Sequence, residues 1–319
     1  MAFRYLFILF VVLILSACSK NNSSTEQSFS FSQGSGFSCK PASAEEASFG
    51  PKAIYGSDDR LDWVDAPGIT KDYWGKATLA LIPPSSLSDF GDHYRVASEN
   101  YGKALNLCPG QKFSEQPSAA FCSGFLVGFD LVVTAGHCVR TLSECQGTRF
   151  VFDFAKTEEQ QEDYHISKNS VYSCKELVAQ STGENDFAVI RLDRSVNDRT
   201  PINIRREGSV QVGEPLMLIG HPMGIPSKIT EGGSVMSSGD RITASVDAFA
   251  ANSGSVILNM NTGDAEGILV AGETDFVFQN GCRVEYHCES SCGGEVVTPI
   301  SKLSQYIPNI RYQNPVCPQ

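Results

Sequence analysis

A chain of 319 residues with a net charge of -11, 41% hydrophobic and 19% charged, has the make-up of an acidic globular protein. With no basic stripe in it, that balance excludes a surface built to neutralise nucleic-acid phosphates. Eleven cysteines leave an even number once Cys18 is set apart, which points to an oxidising compartment and disulfide pairing.

Residues 1–17 place one positive charge, Arg4, before an apolar run from Tyr5 to Leu15 and then small residues. The run is shorter than the ~20 residues that span a bilayer, and its layout is that of a secretory signal. Its end, LSAC, resembles the lipobox of bacterial lipoproteins. That resemblance implies cleavage before Cys18, lipidation (palmitate) of that cysteine and a membrane anchor, with Ser19 implying the outer membrane if the host is Gram-negative. An ordinary signal peptide with a chance cysteine is the alternative. Residues 18–50, rich in Ser, Asn, Gln and Gly with no apolar period, read as a flexible tether.

Residues 51–319 then show short strand-like runs: 77–82, 121–127, 131–135, 149–154, 187–192, 215–220, 255–260 and 267–272. Gly, Asn and Asp separate them, so an all-β barrel or sandwich is expected. The stretch 84–120 reads as loop, and the charged, turn-rich stretch 193–208 reads as a crossing between two subdomains. Ile300, Leu303 and Ile307 stand at helical spacing behind Thr298-Pro299, which predicts a terminal helix over 298–307.

The runs CSGFLV and LVVTAGHCV flank Gly128-Phe129-Asp130 and form an antiparallel hairpin that brings Cys122 near Cys138. A crosslink over that span contributes about 3 kcal/mol in the loop-entropy model and pins His137 just past a strand end. In ENDFAVIRL, Asp186 opens an apolar strand, and in ANSGS, Ser253 sits on a small-residue turn. A carboxylate to orient, an imidazole to accept a proton and an exposed hydroxyl to attack are the needs of nucleophilic catalysis, and the chain order is His, Asp, Ser. Asp193, after the same strand, is an alternative orienter. His221 is expected to be structural, and His93, His165 and His287 have no companion motif.

These motifs, VVTAGHC, DFAVIRL and NSGS, resemble those of bacterial trypsin/chymotrypsin-like serine endopeptidases, in particular the branch with the glutamyl endopeptidases. AIYGSDDRLDW (53–63) and IGHPMGIP (219–226) are similar to that branch's domain start and Gly/Pro-rich strand end. The resemblance implies two six-stranded antiparallel β-barrels, about 51–195 and 205–300, with the site between them, His137 and Asp186 on the first and Ser253 on the second. It implies a serine endopeptidase acting on polypeptide through an acyl-enzyme, as a monomer and without a cofactor.

It also implies an oxyanion hole from the backbone N–H groups of Ser253 and Ala251, where the family carries Gly in place of Ala251. Asp247, six residues before Ser253, falls where trypsin-like enzymes keep a pocket carboxylate, with a turn Asp as the plain alternative. Leu269 stands where glutamyl endopeptidases place a histidine, which argues against a glutamyl preference. Val270, Ala271 and Gly272 offer backbone to an extended peptide. Neutral Asn252 gives no ionic reason for proteolytic activation. Cys145 and Cys174 are expected to pair, and Cys282, Cys288 and Cys292 to form or share disulfides. Cys282, His287, Cys288 and Cys292 match no zinc spacing, so no metal is expected. The competing reading is a catalytically silent double barrel that binds peptide or protein; an esterase using the same triad is a third.

Overall fold

Val, Leu and Ile recur in short runs bounded by Gly, Asn and Asp, and in the computed structural model these runs become antiparallel strands that close on themselves twice. The structure describes residues 54–272, 274–287 and 292–313. The expected signal peptide, the lipidated Cys18, the tether and Cys288 lie outside the described residues.

The first barrel runs Asp186–Leu192, Leu131–Thr134, Cys122–Gly128, Thr78–Ile82, Arg149–Val151, Val171–Thr182 and back to Asp186–Leu192. The second runs Lys228–Ser237, Pro215–Gly220, Val256–Asn259, Ala265–Ala271, Glu295–Pro299, Ile242–Ala244 and returns to Lys228–Ser237. Leu61–Asp62 adds to this barrel alongside Lys228–Ser237. Closure leaves neither barrel a free sheet edge, so nearly every strand amide is paired. Leu81, Leu126, Phe150 and Ile190 share the face that fills the first interior, and Leu218, Val235, Ile257 and Val297 fill the second; all eight are fully buried or nearly so.

Departures from the sequence reading have local causes. The run 149–154 stops as a strand at Val151, two residues before Asp153 takes a left-handed φ of 62°. The stretch 84–120 contains short strands, Leu87–Asp89 and His93–Val96, and a four-residue helix, Tyr101–Ala104. The terminal helix is a 3-10 helix over Ile300–Tyr306, because Thr298 and Pro299 complete the preceding strand. Its i, i+3 repeat sets Ile300 and Leu303 on one buried face, with Ile307 closing it.

Disulfides join Cys122 to Cys138 and Cys145 to Cys174, and Cys282 pairs with Cys108 across 174 residues rather than within its own cluster. That last bond fastens the hairpin Phe276–Gln279/Cys282–Glu285 to the segment after the Tyr101–Ala104 helix. Cys292 is also disulfide-bonded.

Candidate active site

His137 occupies a 3-10 turn, Gly136–Cys138, at the end of the Leu131–Thr134 strand. The turn packs so closely on the neighbouring strands that a Cβ at Gly136 would run into the carbonyl oxygens of Ser181 and Phe187. Asp186 opens the adjoining strand and grips the turn twice. Its Oδ1 accepts the His137 backbone N–H at 2.9 Å, and its Oδ2 stands 2.5 Å from Nδ1. The carboxylate is 16% exposed and the imidazole 34%. A proton held on Nδ1 by that carboxylate leaves Nε2 with its lone pair facing outward, which is the tautomer of a base. Asp193 is not at this ring; its carboxylate accepts the Ser173 N–H and pairs with Arg194.

Ser253 comes from the second barrel, on a turn whose backbone hangs from the first. The Ser123 N–H donates to the Ser253 carbonyl at 2.8 Å, and the Ser123 hydroxyl donates to the Ala251 carbonyl at 2.9 Å while accepting the His221 N–H at 2.9 Å. Gly254, at φ 92°, admits no side chain, because a Cβ would strike the Ser123 carbonyl and Thr134 Oγ1. The Ser253 carbonyl lies 3.7 Å from Cys138 Sγ, which places the serine backbone beside the residue next to His137. No hydrogen bond joins Ser253 Oγ to the imidazole among the described residues. Such nucleophile-to-base contacts are often long in a ligand-free enzyme and tighten on substrate.

Ala251 takes φ 65°, the left-handed region in which the sequence would favour glycine. Its peptide is held nonetheless. The Ala250 carbonyl accepts the Met223 N–H at 2.6 Å, so the Ala251 N–H of that trans peptide points the opposite way. Neither the Ala251 nor the Ser253 N–H donates to a protein group among the described residues. The strained alanine costs on the order of 1 kcal/mol. Ala251→Gly is therefore expected to raise stability by at most about that amount in urea unfolding, with kcat changed by less than about threefold because Met223 already fixes the peptide.

The strand Ala265–Ala271 pairs with Val256–Asn259 as far as Ile268, and the last bonds on that side join Leu269 to Gly254 and Ser255. Val270, Ala271 and Gly272 run on past Ser253, with Ala271 and Gly272 exposed. Between them and Ser253 opens a cavity of about 200 Å³, walled by Phe249, Leu269, Asp275 and Glu295.

Asp247 does not line this cavity, which corrects its expected place in a substrate pocket. It is buried, and its carboxylate accepts the N–H groups of Tyr55 at 2.6 Å and Asp59 at 3.2 Å, fastening the 55–59 segment. Burial and the neighbouring Asp247 charge push the Asp59 carboxyl up to about 8. The carboxylates that do face the cavity, Asp275 and Glu295, were not singled out by the sequence reading, and neither were Ser123 and Met223. Only Ser123 left a trace there, as a lone hydroxyl in an apolar strand.

The structural expectation for His221 is met by its surroundings. The ring is buried, stacks on Phe154 at 5.7 Å and has Nδ1 3.1 Å from the Ile225 carbonyl. Burial pulls its pKa down to about 3. The unfolded chain takes up this proton near pH 6.5 and the folded one only near 3, so the stability it confers is present above about 6.5 and lost as pH falls through that window. Urea unfolding at pH 7 and pH 4 should differ less in His221→Gln than in the parent, by on the order of a few kcal/mol. The Cys122, His137 and Cys138 donor atoms cluster within 4.8 Å of one another, but both sulfurs are spent in a disulfide and leave no thiolate for a metal.

Residues 122–268 match the family model of the trypsin-like peptidase domain. The matched stretch of the trypsin-like peptidase domain contains His137, Asp186 and Ser253, together with the Cys122–Cys138 disulfide. Among solved structures, the serine endoprotease from Yersinia pestis is similar with a TM-score of 0.46 and 12% identity, over 76% of this chain and 66% of that one, just under two thirds of its length. At this level of likeness no residue assignment transfers. No curated protein matches the chain.

Proposed function

We propose that this chain is a serine endopeptidase in which His137, Asp186 and Ser253 form the catalytic triad. The observation that carries the reading is the double grip of Asp186 on the His137 turn, set beside a serine turn suspended from the same barrel. In this reading His137 Nε2 takes the proton of Ser253 Oγ as that oxygen attacks a peptide carbonyl, while ionised Asp186 stabilises the imidazolium. The tetrahedral oxygen meets the N–H groups of Ala251 and Ser253. His137 then passes its proton to the leaving amine, and water, deprotonated by the same ring, releases the acyl group from Ser253. Substrate backbone lies along Val270, Ala271 and Gly272 as an added strand.

The lipobox-like LSAC further supports a chain lipidated at Cys18 and tethered to a bacterial membrane outside the cytoplasm. A silent double barrel that binds peptide or protein is the competing reading. A fluorophosphonate probe separates the two. Labelling confined to Ser253, and lost in His137→Ala, is expected; a folded protein that takes up no label would favour the binding module.

A further inference from the structure

His93 and His165 have no companions along the chain, yet the fold sets them side by side. Leu87–Asp89 and His93–Val96 form a hairpin closed by Phe90, Gly91 and Asp92, and His165–Ser167 pairs with its second strand; the three strands make a small sheet separate from both barrels. In that register Arg95 opposes His165 and Ser167 opposes His93, so the two histidines share one face of the sheet as diagonal neighbours. Their rings meet edge to face with centroids 4.8 Å apart, and Phe90 stacks on His93 at 5.8 Å.

His93 also has a carboxylate. Asp92 Oδ1 stands 2.7 Å from its Nδ1, and because a carboxylate only accepts, the proton lies on Nδ1 and Nε2 keeps its lone pair. A metal-ligating histidine takes just such a partner, which fixes the tautomer and the ring and makes the other nitrogen more basic. His165 is exposed, and its ring makes no hydrogen bond among the described residues, so neither of its nitrogens is committed. The cations nearby are already neutralised, Arg95 by Asp163 at 2.5 Å and Lys168 by Asp89 at 2.6 Å.

Two imidazoles on one tetrahedral ion, each nitrogen ~2.0–2.1 Å from it, hold their ring centroids about 5 Å apart. The 4.8 Å separation matches that spacing. We propose that His93 and His165 form a binding site for a divalent transition ion, zinc or copper, with Asp92 orienting the first ring and water completing the coordination. Nitrogen ligands select these ions over calcium and magnesium, which take oxygen. With two protein ligands the site is open, unlike the closed four-ligand sites that hold a fold together, and its ion exchanges with solution. A bound ion clips the hairpin to the neighbouring strand. Neither ring belongs to the proposed triad, so the site stands whether or not the chain is a peptidase.

Calorimetric titration of the untagged chain with zinc chloride tests this. His137 and His287 also carry accessible imidazoles, so both are first replaced, as His137→Ala and His287→Gln. One zinc per chain is expected in that background, bound at least about tenfold more weakly after His93→Gln or His165→Gln and about tenfold more weakly after Asp92→Asn, with no competition from calcium or magnesium. Circular dichroism of the same samples establishes that each is folded. No zinc uptake by the folded background protein, or an affinity unchanged in either histidine variant, would overturn the site. Copper supplies an independent readout: its electron paramagnetic resonance spectrum is expected to show two coordinated imidazole nitrogens in the background protein and one in each histidine variant, and a single nitrogen at the outset would overturn the two-ring assignment.

Discussion

Replacing Asp186 by Asn is expected to lower kcat by about 10⁴-fold at neutral pH with little change in KM. The cause lies in which nitrogen carries the proton. The carboxylate Oδ2 receives the Nδ1 proton at 2.5 Å, and Oδ1 receives the His137 N–H at 2.9 Å. An asparagine keeping its oxygen on the backbone N–H would turn its NH₂ toward Nδ1. The ring would then hold its proton on Nε2, and the serine would have no base. Because the backbone bond survives, the unfolding midpoint should move little, so a loss of activity would not be a loss of fold. Steady-state kinetics with urea unfolding of the same samples decide the matter; activity within tenfold of the parent would remove Asp186 from the triad.

Gly136→Ala is expected to cost about 3 kcal/mol, the upper end of what overpacking a close-fitting site costs, and to abolish hydrolysis. A methyl group at 136 would meet the backbone carbonyls of Ser181 and Phe187 and come within 2.9 Å of Asp186 Oδ1. Backbone oxygens of two paired strands cannot rotate aside as a flexible side chain can. The turn must therefore lift, carrying His137 away from Asp186. Urea unfolding should show the lowered midpoint; a loss under 1 kcal/mol with activity retained would mean that the turn yields more easily than its packing indicates.

Much of the architecture was legible because burial leaves a plain record. The runs around 122–134 and 187–192 are largely apolar since both faces of those strands are mostly covered, and they became adjacent strands of one barrel. The strand Val171–Thr182 escaped notice for the opposite reason: beyond Cys174 it is exposed or half-buried, and Lys175, Glu176, Gln180 and Ser181 break any apolar run. Of the candidate site, the residues proposed to carry chemistry stand out by type, since a histidine or an aspartate at the edge of an apolar strand is conspicuous. What positions them does not. Met223 acts through its amide, which nothing local marks, and the Ser123 hydroxyl, though a lone polar group in an apolar strand, acts on a turn 128 residues away. Asp247 was misplaced because distance along the chain from Ser253 says nothing of which way a carboxylate faces; here it faces the 55–59 segment.

The serine turn is suspended from the first barrel through Ser123, and Thr298 of the second barrel donates its hydroxyl to the carbonyl of Asp186 at 3.1 Å. Each barrel thus carries part of the scaffolding of a residue proposed to be catalytic in the other. The two halves cannot part, even briefly, without dismantling the machinery on both sides. Hydrolysis should accordingly fade as soon as heat or denaturant begins to loosen the seam, ahead of the main unfolding transition.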